Sequence, residues 1–415
     1  MRRAFLVFPL LILSLLIGVN QSFAQKPEVG DKDREFGKKM LATTMKELTS
    51  KYYDKSLHGM DVEERFKIAE GRIDKAITIG EIYGIVAQVV LELNDSHTFL
   101  IPPPRQSVSY GWDMQIIGEV CMVTYVEPRS DAEKKGLKVG DEIHSVDGVL
   151  VTRDNISQFT YLYHILRPKK RIRVVVQHNT GQRQEVEIES RAGFLGQRLD
   201  RSALVQTHEI GKDLLIVRLL SLSIPPEDID KFVKKARKFK SMIIDLRHNG
   251  GGLEVTMQRL IGHFFDKDIK IATVKWRDAT TEVMAKTRGK DVFTGQLVVL
   301  VDSDSASAAE VFARVIQLEK RGMVLGDRTS GRVMRSVRLT YKAGDDKFVV
   351  YGLSITVSDL IMTDGKSLEH KGMTPDELIL PTGADMLNKR DPVLARAAQI
   401  LGGTLDAAAA GSLFK

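Results

Sequence analysis

One cysteine, two tryptophans and twelve prolines in 415 residues leave several kinds of protein out. The lone Cys121 can neither close an intrachain disulfide nor build a multi-cysteine metal site. Charge of one sign is also scarce. Lys and Arg number 61 against 54 Asp and Glu, a formal net charge of +7, and the basic residues are scattered among acids. The basic stripe of a nucleic-acid binder is missing, so nucleic acid is not an expected partner. No Gly-Lys-Ser/Thr follows the glycine triplet Gly250–Gly252, which excludes a P-loop. What is present is ordinary globular material: 43% hydrophobic and 28% charged residues, enough for a packed core and too much for disorder. At roughly 150 residues per domain the length suggests two or three domains.

A long apolar run does occur at the start. Arg2 and Arg3 precede Ala4–Val19, and Ser22-Phe23-Ala24 follow before Gln25. A basic opening, a short apolar stretch and small residues at the cleavage positions describe a signal peptide over residues 1–24. The alternative is an uncleaved anchor, but the run contains Pro9 and falls short of the ~20 residues that span a bilayer. No cysteine near the boundary could carry a lipid. The expectation is an exported protein, periplasmic or extracellular, with no membrane span once the leader is removed. A single cysteine is compatible with an oxidising compartment.

Three segments follow. Residues 26–105 read as helical. Thr78-Ile79-Gly80-Glu81 is a capping box, and Ile82, Ile85, Val86, Val89, Val90 and Leu93 fall on one helical face behind it. The helix should stop at Asn94-Asp95, leaving His97 just past its end, where a lone histidine also fits a capping or surface role. Residues 106–192 differ: alternating strands Val120–Val126, Ile172–Gln177 and Gln184–Ile188, with a helical stretch at Ile156–Leu166. Residues 193–400 run strand, turn, helix, strand, the pattern of crossover units on a mostly parallel sheet. Ser241–Leu246 leads into Arg247-His248-Asn249-Gly250-Gly251-Gly252, and Leu297–Val301 leads into Asp302–Glu310. Residues 401–415 form a C-terminal tail.

The two strand-to-helix turns carry the chemistry. Glycines let the backbone approach a ligand and free amide donors, and a serine at a helix start sits where unpaired amides and the positive dipole end converge. Together they could build a nucleophile and an oxyanion hole, or an anion site, or two purely structural turns.

In order along the chain, these motifs resemble two known families. Val126–Ile143, ending in Val146-Asp147-Gly148, is similar to the PDZ domains of secreted proteases. By position, Gly111, Trp112, Asp113 and Met114 then correspond to the carboxylate-binding loop. A PDZ captures an extended peptide and its terminal carboxylate by strand addition; one that only packs against its neighbour is the alternative. The larger pattern, with Ile244-Asp245-Leu246-Arg247-His248-Asn249-Gly250-Gly251, Ser305-Ala306-Ser307-Ala308, Gly326–Gly331 and Lys371–Asp376, resembles the C-terminal processing (tail-specific) serine peptidases. The resemblance implies an α/β, crotonase-like core with an inserted PDZ domain and an N-terminal helical segment. It puts Ser307 at the nucleophile's position and the amides of Gly251 and Ala308 at the oxyanion hole, with Gly250 as a substitute. No cofactor or metal is implied. The implied partners are unfolded or C-terminal segments of exported proteins.

One departure is informative. Where most of that family has a catalytic lysine, this chain has Arg332, and Ser336 replaces the Gln that lies four residues beyond. A guanidinium stays protonated and cannot act as a general base. The tricorn core protease branch lacks the lysine and resembles a Ser–His–Glu machine. His97, within Leu93-Asn94-Asp95-Ser96-His97, and Glu369, before Gly372-Met373-Thr374-Pro375-Asp376, match its pattern. The expected triad is Ser307, His97 and Glu369, with a pH profile rising near the ordinary histidine value of about 6.5. His248 and His370 are second choices for the base. The alternative is an inactive pseudopeptidase scaffold.

Overall fold

The computed structural model describes residues 29–103, 108–193, 201–343 and 349–414. The expected signal peptide, residues 1–24, lies outside them. The described residues begin with three helices, Asp31–Lys51, Val62–Ile73 and Ile79–Leu91. The third starts where its cap says it should: Thr78 Oγ1 accepts the Glu81 N–H at 3.1 Å, and Glu81 reaches back to the Ile77 amide at 2.8 Å. Ile82, Ile85, Val86, Val89 and Val90 are buried along it. Asn94 then turns the chain at φ 47°, and Phe99–Ile101 pairs antiparallel with Val349–Met362. His97 is thus pinned between a helix end and a strand of the core.

The segment that follows leaves and re-enters at one point, because Val108 pairs with Ala192 and Ser109 with Arg191. Between them a largely antiparallel sheet runs in the order Trp112–Ile117, Val120–Val126, Glu142–Val146, Arg171–Gln177, Arg183–Glu189. Trp112–Ile117 and Arg183–Glu189 are its edge strands among the described residues. The helical stretch Ile156–Leu166 is an α-turn running into a π-helix.

The core sheet has Leu214–Leu219, Ser241–Asp245, Gln296–Val301, Met323–Gly326 and Glu377–Leu378 in parallel, with Val205–Ile210 antiparallel at one edge. Ser241–Asp245 is buried on both faces, as a central parallel strand must be. Crossover units do not account for the whole of 193–400. Ile269–Trp276, Thr280–Ala285, Met334–Ala343 and Val349–Met362 form a second, antiparallel sheet that Phe99–Ile101 joins. This sheet brings the helix end carrying His97 onto the core.

Arg247, which leaves the central strand, is enclosed between Asp245 and Asp391. It bonds Asp245 through Nε and Nη2 at 2.8 Å each and Asp391 through Nη1 at 2.8 Å and Nη2 at 2.6 Å. Asp391 also caps the Pro392–Ile400 helix, so one guanidinium ties the glycine turn to the C-terminal helix. Breaking such a buried network costs about 3–5 kcal/mol because it strands the partner charges. Arg247→Met should lower the urea-unfolding free energy by about that amount, whereas a change within about 0.5 kcal/mol would show the pairing to be solvent-screened.

Candidate active site

Ser307 occupies the N-cap of the Ala308–Leu318 helix at φ 55°, ψ −122°. This backbone conformation is strained for any residue but glycine, so something must hold it. Glu310 does. Its Oε2 accepts the amides of Ser307 and Arg332, both at 3.0 Å, and its Oε1 accepts Gly331 N–H at 2.8 Å and the Thr329 hydroxyl at 2.5 Å. Glu310 is fully buried; burial pushes its carboxyl up to about 7 against the pull of these four donors. Ser305 cannot substitute for Ser307. It is fully buried, and its hydroxyl is spent on Leu246 O at 2.8 Å and Asp302 Oδ1 at 3.1 Å.

The glycine turn packs directly on Ser307. A Cβ on Gly251, at φ 93°, would lie 2.7 Å from Ser307 Cβ and 3.0 Å from the Ala308 nitrogen. One expectation changes here: the Gly251 amide is not free, because it donates to Asn249 Oδ1 at 2.8 Å. Asn249 in turn donates to Leu219 O, and its own carbonyl accepts the Ala306 amide, so this asparagine sets the register of both turns. Gly252 lines the cavity that holds Ser307 and Ala308. Its bridge to Leu222 uses the Gly251 carbonyl and the Leu253 amide, leaving the Gly252 N–H outside that ladder.

That cavity, of about 610 Å³, also contains His97. Met257, Val311, Val333 and Leu360 give it an apolar lining. At its rim Arg335 pairs with Glu254 and lies 5.5 Å from the Trp276 ring centre. His97 and Glu369 do not touch. Ser96 stands between them: its hydroxyl lies 2.7 Å from His97 Nδ1 and donates to Glu369 Oε2 at 3.0 Å, while its amide donates to Glu369 Oε1 at 2.9 Å. Val333 N–H also donates to Glu369, at 2.9 Å. With its proton committed to the carboxylate, the Ser96 oxygen accepts from His97 Nδ1–H, which leaves Nε2 as the basic nitrogen. The sequence reading missed Ser96; it was visible only as the neighbour of His97. Asp95 contributes as well, accepting the His97 amide at 2.8 Å and the hydroxyls of Tyr52 and Thr356.

Burial pushes His97 down to about 4, and the Arg332 charge pushes the same way against Asp95. The ordinary value near 6.5 therefore does not describe this site. Burial raises Glu369, opposed first by His370. His370 Nε2 lies 2.7 Å from Asn94 O and 3.6 Å from Glu369 Oε1, and among the described residues it does not line the Ser307 cavity. His248 sits on the outer side of the glycine turn, its Nδ1 3.1 Å from Asp304 Oδ2. His248, Asp302 and Asp304 bring metal-type donor atoms within 4.8 Å of one another, but Asp302 already serves Gln115, the His248 amide and Ser305.

Of the residues expected in a carboxylate-binding loop, Trp112, Asp113 and Met114 lie instead in the edge strand Trp112–Ile117, where they line a cavity of about 100 Å³ with Phe159, Tyr163 and His164. Gly111, at φ 74°, is pressed against Ser130, and its amide donates to Ser109 Oγ at 3.1 Å.

Two substitutions probe this geometry. Glu310→Gln places an NH2 where donors already converge; an unsatisfied buried group costs about 1–3 kcal/mol. It should lower both stability and the reactivity of Ser307. Ser96→Ala should lower turnover with little change in KM, because it cuts the path between His97 and Glu369. An unchanged rate for Ser96→Ala would show the relay to be idle.

Residues 213–379 match the model of peptidase family S41. The carboxy-terminal processing protease CtpA of Bacillus subtilis is 29% identical over 266 residues, covering 62% of this chain and 53% of that protein. A probable CtpA-like serine protease of Staphylococcus haemolyticus is 26% identical over 354 residues, covering 84% of this chain and 66% of that one. The chain thus spans between about half and two thirds of these relatives. Among solved structures, mature CPAF superposes with a TM-score of 0.67 at 13% identity, covering 86% of this chain and 95% of that one. The photosystem II D1 C-terminal processing protease gives 0.55 at 19%, covering 90% and 98%. At such identities these likenesses speak for the fold alone. Residues 213–379 match the model of peptidase family S41, and the chain is similar to C-terminal processing proteases.

Proposed function

We propose that the protein is an exported serine endopeptidase that hydrolyses peptide bonds through an acyl-enzyme on Ser307, with His97 as general base and Glu369 acting on it through Ser96. The observation that carries this reading is that Ser307, in a strained N-cap conformation, and His97 face one cavity, while Arg332 occupies the family's lysine position. His97 Nε2 takes the Ser307 proton as Oγ attacks the scissile carbonyl, then returns it to the leaving amine. The Ala308 amide, at the helix start, receives the oxyanion. Gly252 is the better second donor than Gly251, whose hydrogen is already given to Asn249. What favours an active peptidase over the pseudopeptidase alternative is that Ser307 and His97 line one cavity.

The inserted unit reads as a PDZ domain on the crotonase-like core. Its edge strand Trp112–Ile117 beside the Ile156–Thr160 helix offers a tail peptide a strand to join, and the small cavity at Trp112 and Met114 could take the last side chain. The export reading rests on residues 1–24. Among the described residues no helix is long and apolar enough to cross a membrane.

Degradation of casein or tail peptides by the mature protein is the direct test. Ser307→Ala should abolish it with folding intact, and Ser305→Ala should perturb stability instead. His97→Ala should cost on the order of 10²–10⁴-fold in rate. Because the base must be neutral, the His97 limb should fall only as pH approaches about 4. A separate limb near 7 would report protonation of the Glu310 carboxyl, and only a limb near 6.5 that His97→Ala removes would contradict the buried environment. If Arg332→Lys raises activity while His97→Ala does nothing, the protein is a decayed Ser–Lys enzyme. Equal cleavage of free and amidated tails would show that the loop at Gly111–Met114 does not read the carboxylate.

A further inference from the structure

Arg332 does not line the Ser307 cavity. It lines a second one, of about 350 Å³, on the other side of the loop that Glu310 holds. Met114 and Ile116 of the inserted unit's edge strand, Tyr161 of its helix and Ser96 beside the proposed base share this cavity. The cations in it are unequally employed: Lys371 is exposed to solvent, and the guanidinium groups differ. Arg153 is bound to Asp327 and to the carbonyls of Gly118 and Arg328, and Arg328 is bound to Glu119. Arg332 has no such partner: its Nε is buried without a hydrogen bond, and no acid lies within ion-pair distance of its guanidinium among the described residues. The nearby acids are engaged or open to water. Asp95 serves Tyr52, Thr356 and the His97 amide, Asp304 serves His248, and Asp154 is exposed. A guanidinium with its fork unfilled, inside a cavity, matches a carboxylate.

We propose that Arg332 reads a carboxylate of the bound polypeptide, an acidic side chain or the terminal carboxylate, in the cavity between the inserted unit and the core. The proposal rests on the peptidase reading only in taking a polypeptide as the ligand. The Ile116 carbonyl already accepts the Ser303 hydroxyl, so a peptide joined to Trp112–Gln115 would have this cavity just beyond its pairing, and residues upstream of its C-terminus come within reach of Arg332. An anion there would also offset the charge that holds His97 low, coupling occupancy to the basicity of the proposed base.

The test needs no catalysis. Fluorescein-labelled peptides with an apolar C-terminus, carrying Glu or its isostere Gln at successive upstream positions and ending in a free or amidated carboxyl, are titrated by anisotropy against full-length Ser307→Ala protein. One Glu position, or the free terminus, should bind roughly tenfold tighter than its neutral counterpart, as a charge-assisted hydrogen bond provides. Adding Arg332→Gln or Arg332→Met should erase that ratio, and Arg332→Lys should keep part of it. A Glu-position effect assigns the site to an acidic side chain; an effect of amidation alone assigns it to the terminus. The proposal is overturned by absent peptide binding, by equal affinities in the Arg332 protein, or by a ratio that survives both neutral substitutions. Absent cleavage by the Ser307 protein with this ratio intact would sink the peptidase reading and leave Arg332's role standing.

Discussion

One buried carboxylate sets the geometry of the site. Glu310 receives the Ser307 amide, the Thr329 hydroxyl and the amides of Gly331 and Arg332. The first bond holds the proposed nucleophile in a backbone conformation its own side chain disfavours. The others fix the loop that puts Val333 in one cavity and Arg332 in the other. Both the chemical face and the proposed recognition face are therefore registered to a single side chain in the first turn of one helix. A charge buried there is costly in isolation and tolerable because its lone pairs all meet donors.

The proposed base is assembled from the opposite direction. His97 comes from the helical segment, and its position depends on Phe99–Ile101 adding to the antiparallel sheet. Ser96 and Glu369 fix its tautomer, and Asp95 fixes its backbone. Burial and Arg332 together favour the neutral imidazole, the form a general base must start from. On the proposed reading, the loop position that carries a lysine in the family pattern here carries Arg332, which lines the neighbouring cavity, while His97 lines the cavity that holds Ser307.

Much of this was legible in the sequence because it is local. The Thr78–Glu81 cap, the strands at 120–126, 241–245 and 296–301, and the helix from Ala308 follow from periodicity and turn chemistry. Ser307 could be distinguished from Ser305 only by position in a motif; the structure adds the physical reason, since the Ser305 hydroxyl closes the turn between Leu246 and Asp302. The antiparallel sheet was not legible, because its strands are distant in sequence and their pairing depends on tertiary packing. Ser96 as bridge and Asn249 as occupant of the Gly251 amide were hidden for the same reason. Hydrogen bonds between residues 96 and 369 leave no trace in spacing, and a glycine triplet does not reveal which amide is already taken.

The central claim is that Ser307 is activated by His97. A fluorophosphonate probe, which reacts only with an activated serine, tests it most directly when the labelled peptide is mapped by mass spectrometry. The account predicts covalent modification at Ser307, slowed on the order of 10²-fold or more in His97→Ala and retained in a folded Arg332→Gln protein. Absence of labelling in the wild-type chain, or labelling at an equal rate without His97, would contradict it.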